Sequence, residues 1–246
     1  MQISERNGFI DVHCHILPGV DDGAKDIEQT KEMMHIAYEE GIRTIIVTPH
    51  NYASHRSASP QQIQETIQQV SVLLKLWNLD ICLYPGNEIF YRSGVAEQLE
   101  ENNIQTMAGS RYVLVEFEPA VEYAYLRDGL SELIRYGYLP ILAHAERYDC
   151  LYRKKERPGE LKRKGVYIQV NASSLLEGWG SEMRKRSKIL LKADCIDFIG
   201  TDAHSSRSRS PRMKQCAEYL VKKAGREKAE QILYKNPQAV LDDFIL

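Results

Sequence analysis

The sequence has little of what marks several large functional classes. Its five cysteines, Cys14, Cys82, Cys150, Cys195 and Cys216, are odd in number and form no CxxC pair. That argues against a disulfide framework and against a thiolate zinc site, and a reducing cytoplasm fits best. No uninterrupted apolar run is long enough to cross a bilayer, and the opening MQISERNGFIDVHCH holds no apolar core of signal-peptide length, so no direct membrane insertion is expected. Neither sign of charge dominates: 32 Lys and Arg stand against 34 Asp and Glu, a formal net charge of -2. No overall basic field exists to attract nucleic acid, which is not expected as a partner. Low-complexity segments, linkers and internal repeats are also missing. The 246 residues therefore read as one domain, 1–246, with residues 1–8 a frayed lead-in.

What is there is an ordinary globular composition, 43% hydrophobic and 27% charged, arranged in alternating patterns. Seven short β-rich runs recur: FIDVHCH (9–15), TIIVTPH (44–50), ICLYPGNEI (81–89), YVLVEFE (112–118), LPILAHAER (139–147), VYIQVNASS (166–174) and DFIGTDAH (197–204). Most are nearly continuous apolar runs, as strands covered on both faces require. Helical spacing lies between them. Ile63, Ile67, Val70, Leu74 and Trp77 follow a helical repeat, and Asp26 to Glu40 ends at Gly41, a C-terminal stop. The basic stretch RKKERPGELKRK (153–164) reads as a solvated helix and loop. Repeated βα units of this kind predict a mainly parallel sheet with right-handed crossovers, and seven of them suffice to close a barrel.

Five of the seven runs end in polar groups that a buried strand has no structural reason to carry: His13 and His15, His50, Glu88, His144, then Asp202 and His204. Strand side chains alternate faces, so His13 and His15 point one way and Cys14 the other, and an HxH pair can grip one metal. In a parallel barrel all C-terminal strand ends meet at one rim. One buried histidine or carboxylate is accounted for by a hydrogen bond in the core. Repetition at strand after strand is not, because each uncompensated buried charge costs several kcal/mol. Divalent cations supply the missing countercharge, and nitrogen and oxygen donors suit manganese, iron or zinc. On spacing alone, Glu116 and Glu118 share a face and remain alternatives, and Asp22 remains open between site residue, turn residue and helix cap.

With IDVHCHILPGVDDGAKD, GIRTIIVTPH, PGNEIFY, RYVLVEFE, GYLPILAHAER and FIGTDAH in order, the chain resembles the PHP (polymerase and histidinol phosphatase) superfamily. Within it, the likeness is to the bacterial tyrosine-protein phosphatases of capsule and exopolysaccharide loci, over nearly the whole chain. The resemblance implies a distorted (β/α)7 TIM-like barrel with three divalent metals, manganese first among candidates, at the C-terminal strand ends. It implies His13, His15, Glu88 and Asp202 for one metal, bridging Glu88 with Glu116 and His144 for a second, and Asp22, His50 and His204 for a third. It further implies that Arg147 and Arg209 hold phosphate, with Arg207 and Arg212 close enough in SSRSRSPRM to compete with Arg209. Ala145 stands where the family often has a proline or a larger residue.

The implied chemistry is in-line attack on phosphorus by a metal-bridging hydroxide, without a phosphoenzyme. The implied substrate is a phosphotyrosyl protein, a membrane-associated bacterial tyrosine kinase that regulates capsular or exopolysaccharide synthesis. Thiol-based tyrosine dephosphorylation needs a Cys followed six residues later by Arg; here that interval leads to Val20, Glu88, Glu156, Thr201 and Lys222. Histidinol-phosphate phosphatase is the alternative reading, and a non-catalytic metal-binding scaffold another. His35 and His55 match no ligand motif and read as surface or packing residues, with His55 or Tyr52 placed to touch substrate.

Overall fold

The computed structural model describes residues 8–52, 57–176, 178 and 180–246. His55 and most of the lead-in, residues 1–7, lie outside the described residues. The strands are β1 (Phe9–Cys14), β2 (Ile42–Val47), β3 (His50–Asn51), β4 (Cys82–Tyr84), β5 (Glu88–Phe90), β6 (Tyr112–Glu116), β7 (Leu139–Leu142), β8 (Tyr167–Asn171) and β9 (Phe198–Gly200). All their pairings are parallel, in the hydrogen-bonded orders β1-β2-β4 and β3-β5-β6-β7-β8-β9.

Two of the sequence runs are broken where a proline interrupts them. Pro49 separates β2 from β3, and Pro85 separates β4 from β5. A proline has no N–H for the ladder, so the strand stops and resumes after a bend. The carbonyls stay useful: Glu88 N donates to Pro49 O at 3.2 Å, and Ala108 N to Pro85 O at 2.6 Å. Since β2 and β3 form one interrupted stave, and β4 and β5 another, the strands make seven staves. The ring meets at β1 and β9, through a bridge between Cys14 and Ala203 and through His15 N to Ala203 O at 2.9 Å. The fold is mixed α/β with a curled parallel sheet, a distorted barrel.

Helices cover the outside as the periodicity requires. Ile63, Ile67, Val70 and Leu74 form the buried stripe of the helix Pro60–Leu76, with Trp77 at its C-cap. Each such burial is worth about 1.5–3 kcal/mol. Asp26 caps Ile27–Glu39 by accepting from Gln29 N at 2.9 Å. Arg157–Arg163 is the helix within the basic stretch. Inside the ring, Ile10, Val12, Ile46, Tyr112, Leu114, Ile141 and Phe198 pack together with Val240 of the helix Asn236–Leu241. Tyr112 donates to Phe244 O at 2.7 Å, which ties the C-terminal segment to the start of β6. That apolar plug fills the ring toward its N-terminal end and leaves the polar groups at the other.

β1 and β9 approach closely because Gly200 faces His13. A Cβ at residue 200 would lie 2.5 Å from His13 Cβ. Gly200→Ala is expected to destabilise the chain by about 1–3 kcal/mol, the ordinary cost of overpacking. Urea unfolding checks it, and an unchanged midpoint would show that the strands separate freely.

Candidate metal centre

The C-terminal strand ends bring the polar residues together. His13 in β1 and His15 just beyond it are buried, and their Nε2 atoms face each other at 3.2 Å. Glu88 opens β5 with one carboxylate oxygen, Oε2, 3.1 Å from each of these nitrogens. Asp202 Oδ1 lies 3.5 Å from His13 Nε2 and 3.7 Å from His15 Nε2. Cys14 is fully buried in the apolar core.

The outward nitrogens of the two imidazoles are committed elsewhere. His13 Nδ1 lies 3.1 Å from Gln169 Oε1, and His15 Nδ1 2.6 Å from Asp21 Oδ2. A carbonyl or carboxylate partner requires a proton on Nδ1, so in the neutral tautomer both Nε2 lone pairs point inward. Two lone pairs and two carboxylates converging on one buried point repel each other unless a cation sits among them. The donor set therefore fits divalent metal ions.

Two further groups adjoin the first. His144 Nε2 is 2.7 Å from Glu88 Oε1 and 3.6 Å from Glu116 Oε2. His50 Nδ1 is 3.0 Å from Glu116 Oε1 and 3.1 Å from Glu88 Oε2. Asp22 Oδ1 lies 3.4 Å from both His50 Nε2 and His204 Nε2. Ligand atoms of His13, His15, Glu88 and Asp202 lie within 4.8 Å of one another, as do those of His50, Glu88 and Glu116, and those of His15, Asp22, His50 and His204. Spacing left Glu118 as an alternative, but it is exposed while Glu116 is buried beside Glu88. His50 stands between two groups, and His15 reaches the group of Asp22, a sharing that strand-end positions do not reveal.

The arginines sort themselves on Asp202. Arg147 Nη2 reaches Asp202 Oδ2 at 2.6 Å, and Arg209 Nη2 reaches Oδ1 at 2.6 Å. Their side chains are 36% and 43% exposed, so both guanidinium forks lie between the buried cluster and solvent. Arg212 instead pairs with Glu40 at 3.4 Å. Arg207 is exposed, and its backbone N donates to Ser205 Oγ at 3.4 Å. His35 is exposed on its helix.

In the metal-free chain, protons on two of the imidazoles offset part of the carboxylate charge. Burial alone would push His15 down, but hydrogen bonds to Asp21 and Glu88 override it and raise its pKa to about 10. For His144, burial is likewise overcome, by Glu116 and Glu88, and the value rises to about 9. His204 goes the other way, to about 3, through burial and the nearby charge of His15. It holds an unprotonated nitrogen facing Asp22. His144 and Asp202 also adopt the left-handed backbone region, at φ 33° and 52°, a conformation that costs a non-glycine residue energy and often marks a functional site. His144 N donates to Gln169 Oε1 at 2.8 Å and Asp202 N to His13 O at 2.8 Å, which holds both turns in place.

Several of these supports escape a search for ligands. Asp21 also accepts from His50 N at 3.2 Å and Gly23 N at 2.9 Å. Gln169 passes its amide to Asn171 Oδ1 at 2.9 Å, and Asn171 donates to Asp202 Oδ2 at 2.7 Å. Asp11 accepts from Thr201 N at 2.9 Å and locks β1 to β9. The strand residues among them had a signal: Asp11 shares the face of His13 and His15, and Gln169 with Asn171 repeats that spacing in an apolar strand. Asp21→Ala is expected to weaken divalent-metal affinity about 10- to 100-fold by releasing the His15 ring. A calorimetric titration reads it, and unaltered affinity would show that Asp21 does not orient the ligand.

The family model for capsular polysaccharide synthesis, CpsB/CapC, matches residues 9–242. The tyrosine-protein phosphatase CpsB of Streptococcus pneumoniae is 34% identical over 243 residues, 97% of this chain and 100% of that protein. Among solved structures, a chain from the crystal structures of YwqE from Bacillus subtilis and CpsB from Streptococcus pneumoniae, unique metal-dependent tyrosine phosphatases, superposes with a TM-score of 0.89. It is 31% identical and covers 96% of this chain and 95% of that one. The histidinol phosphate phosphatase of Lactococcus lactis shares the fold, at a TM-score of 0.58 and 16% identity, over 89% of this chain and 94% of that one.

Proposed function

This chain belongs to the CpsB/CapC family of capsular polysaccharide synthesis, and from that premise we propose that it is a metal-dependent protein-tyrosine phosphatase formed by one domain. One observation carries the reading: two half-exposed guanidinium forks, Arg147 and Arg209, stand over a buried cluster of histidines and carboxylates. Forks of this kind bind phosphate oxygens in pairs, and the groups beneath them are those that hold divalent cations.

In this reading His13, His15, Glu88 and Asp202 hold one ion, Glu88, Glu116 and His144 a second, and Asp22, His50 and His204 a third, with His50 and His15 shared at the borders. Manganese is the ion we favour for this nitrogen and oxygen set. Bound ions of this class supply water activation at neutral pH and countercharge for the phosphoryl group. The chain's own part is orientation and charge. Gln169 and Asp21 fix the imidazoles, and Arg147 and Arg209 turn from Asp202 toward the phosphoryl oxygens of the substrate. The leaving phenol has a pKa of about 10, so departure places little demand on a general acid. No cysteine takes part. Burial raises the thiols of Cys14, Cys150, Cys195 and Cys216, and Cys82 lies on β4, away from the cluster-bearing strand ends.

The substrate we infer is a phosphotyrosyl protein, a membrane-associated tyrosine kinase of a capsule or exopolysaccharide locus. No helix among the described residues is long and apolar enough to cross a membrane. Five free cysteines are in keeping with a cytoplasmic location. The test is phosphate release from a phosphotyrosyl peptide and from histidinol phosphate in parallel, with manganese and after chelation. Metal-dependent turnover of the peptide is expected; preference for histidinol phosphate, or inactivity on both, overturns the reading.

A further inference from the structure

The register of the barrel places a second layer just outside the metal cluster. His50 pairs with Glu88, Asn51 with Ile89, and Phe90 with Glu116. Side chains two residues apart share a face. Tyr52 therefore follows His50, and Phe90 follows Glu88, one step farther toward the mouth. Their rings bear this out: Tyr52 stacks on His50 with centroids 4.8 Å apart and planes at 25°, and it meets Phe90 at 5.7 Å. Tyr52 remains 41% exposed, so part of its surface is open to a ligand entering the cluster.

The pair is held from behind. Ser57 Oγ accepts from Tyr52 N at 2.8 Å and donates to Tyr52 O at 3.0 Å. Arg92 donates to Phe90 O at 3.1 Å and to Asn51 Oδ1 at 3.2 Å, joining the ends of the two strands that carry the rings. An aromatic wall anchored by its backbone is ordered before a ligand arrives, which lowers the entropy cost of binding. The Tyr52 hydroxyl hydrogen-bonds to Glu116 at the edge of the cluster, which leaves the exposed part of the ring free for a ligand. A wall of π-faces and ring edges offers an aryl group offset or edge-to-face contact, and it offers an alkyl chain much less.

We propose that Tyr52, with Phe90 beside it, forms an aryl subsite that receives the ring of the phosphorylated side chain and selects aryl over alkyl phosphate esters. The inference rests on the phosphatase reading above and deepens it. The phosphoryl group meets Arg147 and Arg209 while the ring lies along Tyr52. Discrimination in binding then comes from the wall at the mouth, because the cluster and the arginines meet the same phosphoryl group in either ester.

The experiment compares competitive inhibition of p-nitrophenyl phosphate turnover by phenylphosphonate and by methylphosphonate, in the full chain loaded with manganese. In the unaltered protein phenylphosphonate is expected to bind more tightly. Tyr52→Ala should weaken phenylphosphonate roughly 3- to 10-fold, leave methylphosphonate unchanged, and leave metal content by elemental analysis as before. Tyr52→Phe should keep the aryl preference, because the ring and not the hydroxyl makes the contact. Equal loss for both phosphonates, or lower metal content in Tyr52→Ala, would make Tyr52 a cover for His50 and overturn the subsite. Absence of an aryl preference in the unaltered protein overturns it as well. Failure to turn over p-nitrophenyl phosphate at all overturns the phosphatase reading itself.

Discussion

Replacing His13 and His15 together with alanine is expected to lower phosphotyrosine turnover by roughly 10³-fold or more and to reduce bound metal. The two Nε2 atoms, 3.2 Å apart and shared by Glu88 and Asp202, are the least replaceable donors in the cluster. Metal-borne charge stabilisation is worth several kcal/mol, and each 1.36 kcal/mol is a factor of about ten in rate. The same residues set a pH dependence. Without metal, His15 and His144 titrate at about 10 and about 9, so both carry protons at neutral pH. A metal ligand must be neutral, so binding expels those protons and affinity climbs as pH rises toward these values. The sign follows from the raised pKa: acid favours the protonated, metal-free cluster. Calorimetry in buffers of differing ionisation enthalpy reads the protons released. Full activity in the double variant, or affinity that is flat between roughly pH 6 and pH 8, would sink the assignment.

Much of this centre can be read from the sequence because strand periodicity converts directly into direction. HxH on one strand must put two rings on one face, and parallel strands must deliver their ends to one rim. That is enough to nominate His13, His15, His50, Glu88, His144, Asp202 and His204 without coordinates. The breaks in β2/β3 and β4/β5 were less legible, since a proline stops hydrogen bonding without ending the apolar run. So was the double service of His50, whose two nitrogens face different carboxylates; residue order says nothing about which ring atom faces which neighbour. Spacing could not separate Glu116 from Glu118, because alternation puts them on one face; burial near Glu88 does, since only Glu116 lies within the barrel. Asp21 was hidden behind Asp22. The two differ by one position, yet Asp21 holds the back of His15 while Asp22 looks forward at His50 and His204, a turn geometry that composition does not encode.

Arg147→Ala and Arg209→Ala are each expected to cost about 10²–10³-fold in kcat, the scale of losing one preorganised donor to a developing oxyanion. Arg212→Ala should stay within about 2-fold, the small effect of an exposed ion pair. The contrast follows from position. Arg147 and Arg209 each place one Nη2 at 2.6 Å from a different oxygen of Asp202, while Arg212 is drawn away to Glu40 at 3.4 Å. An alanine at either of the first two positions also strips a partner from a buried carboxylate, so lost turnover has two sources. Lysine separates them. Arg147→Lys and Arg209→Lys keep the charge beside Asp202 but lose the planar fork, and a loss that persists in lysine at normal metal content belongs to phosphate recognition. If lysine restores full rate, the charge alone matters and the fork does not. If Arg212→Ala falls as far as Arg209→Ala, the loop presents a different arginine to phosphate from the one that stands on Asp202.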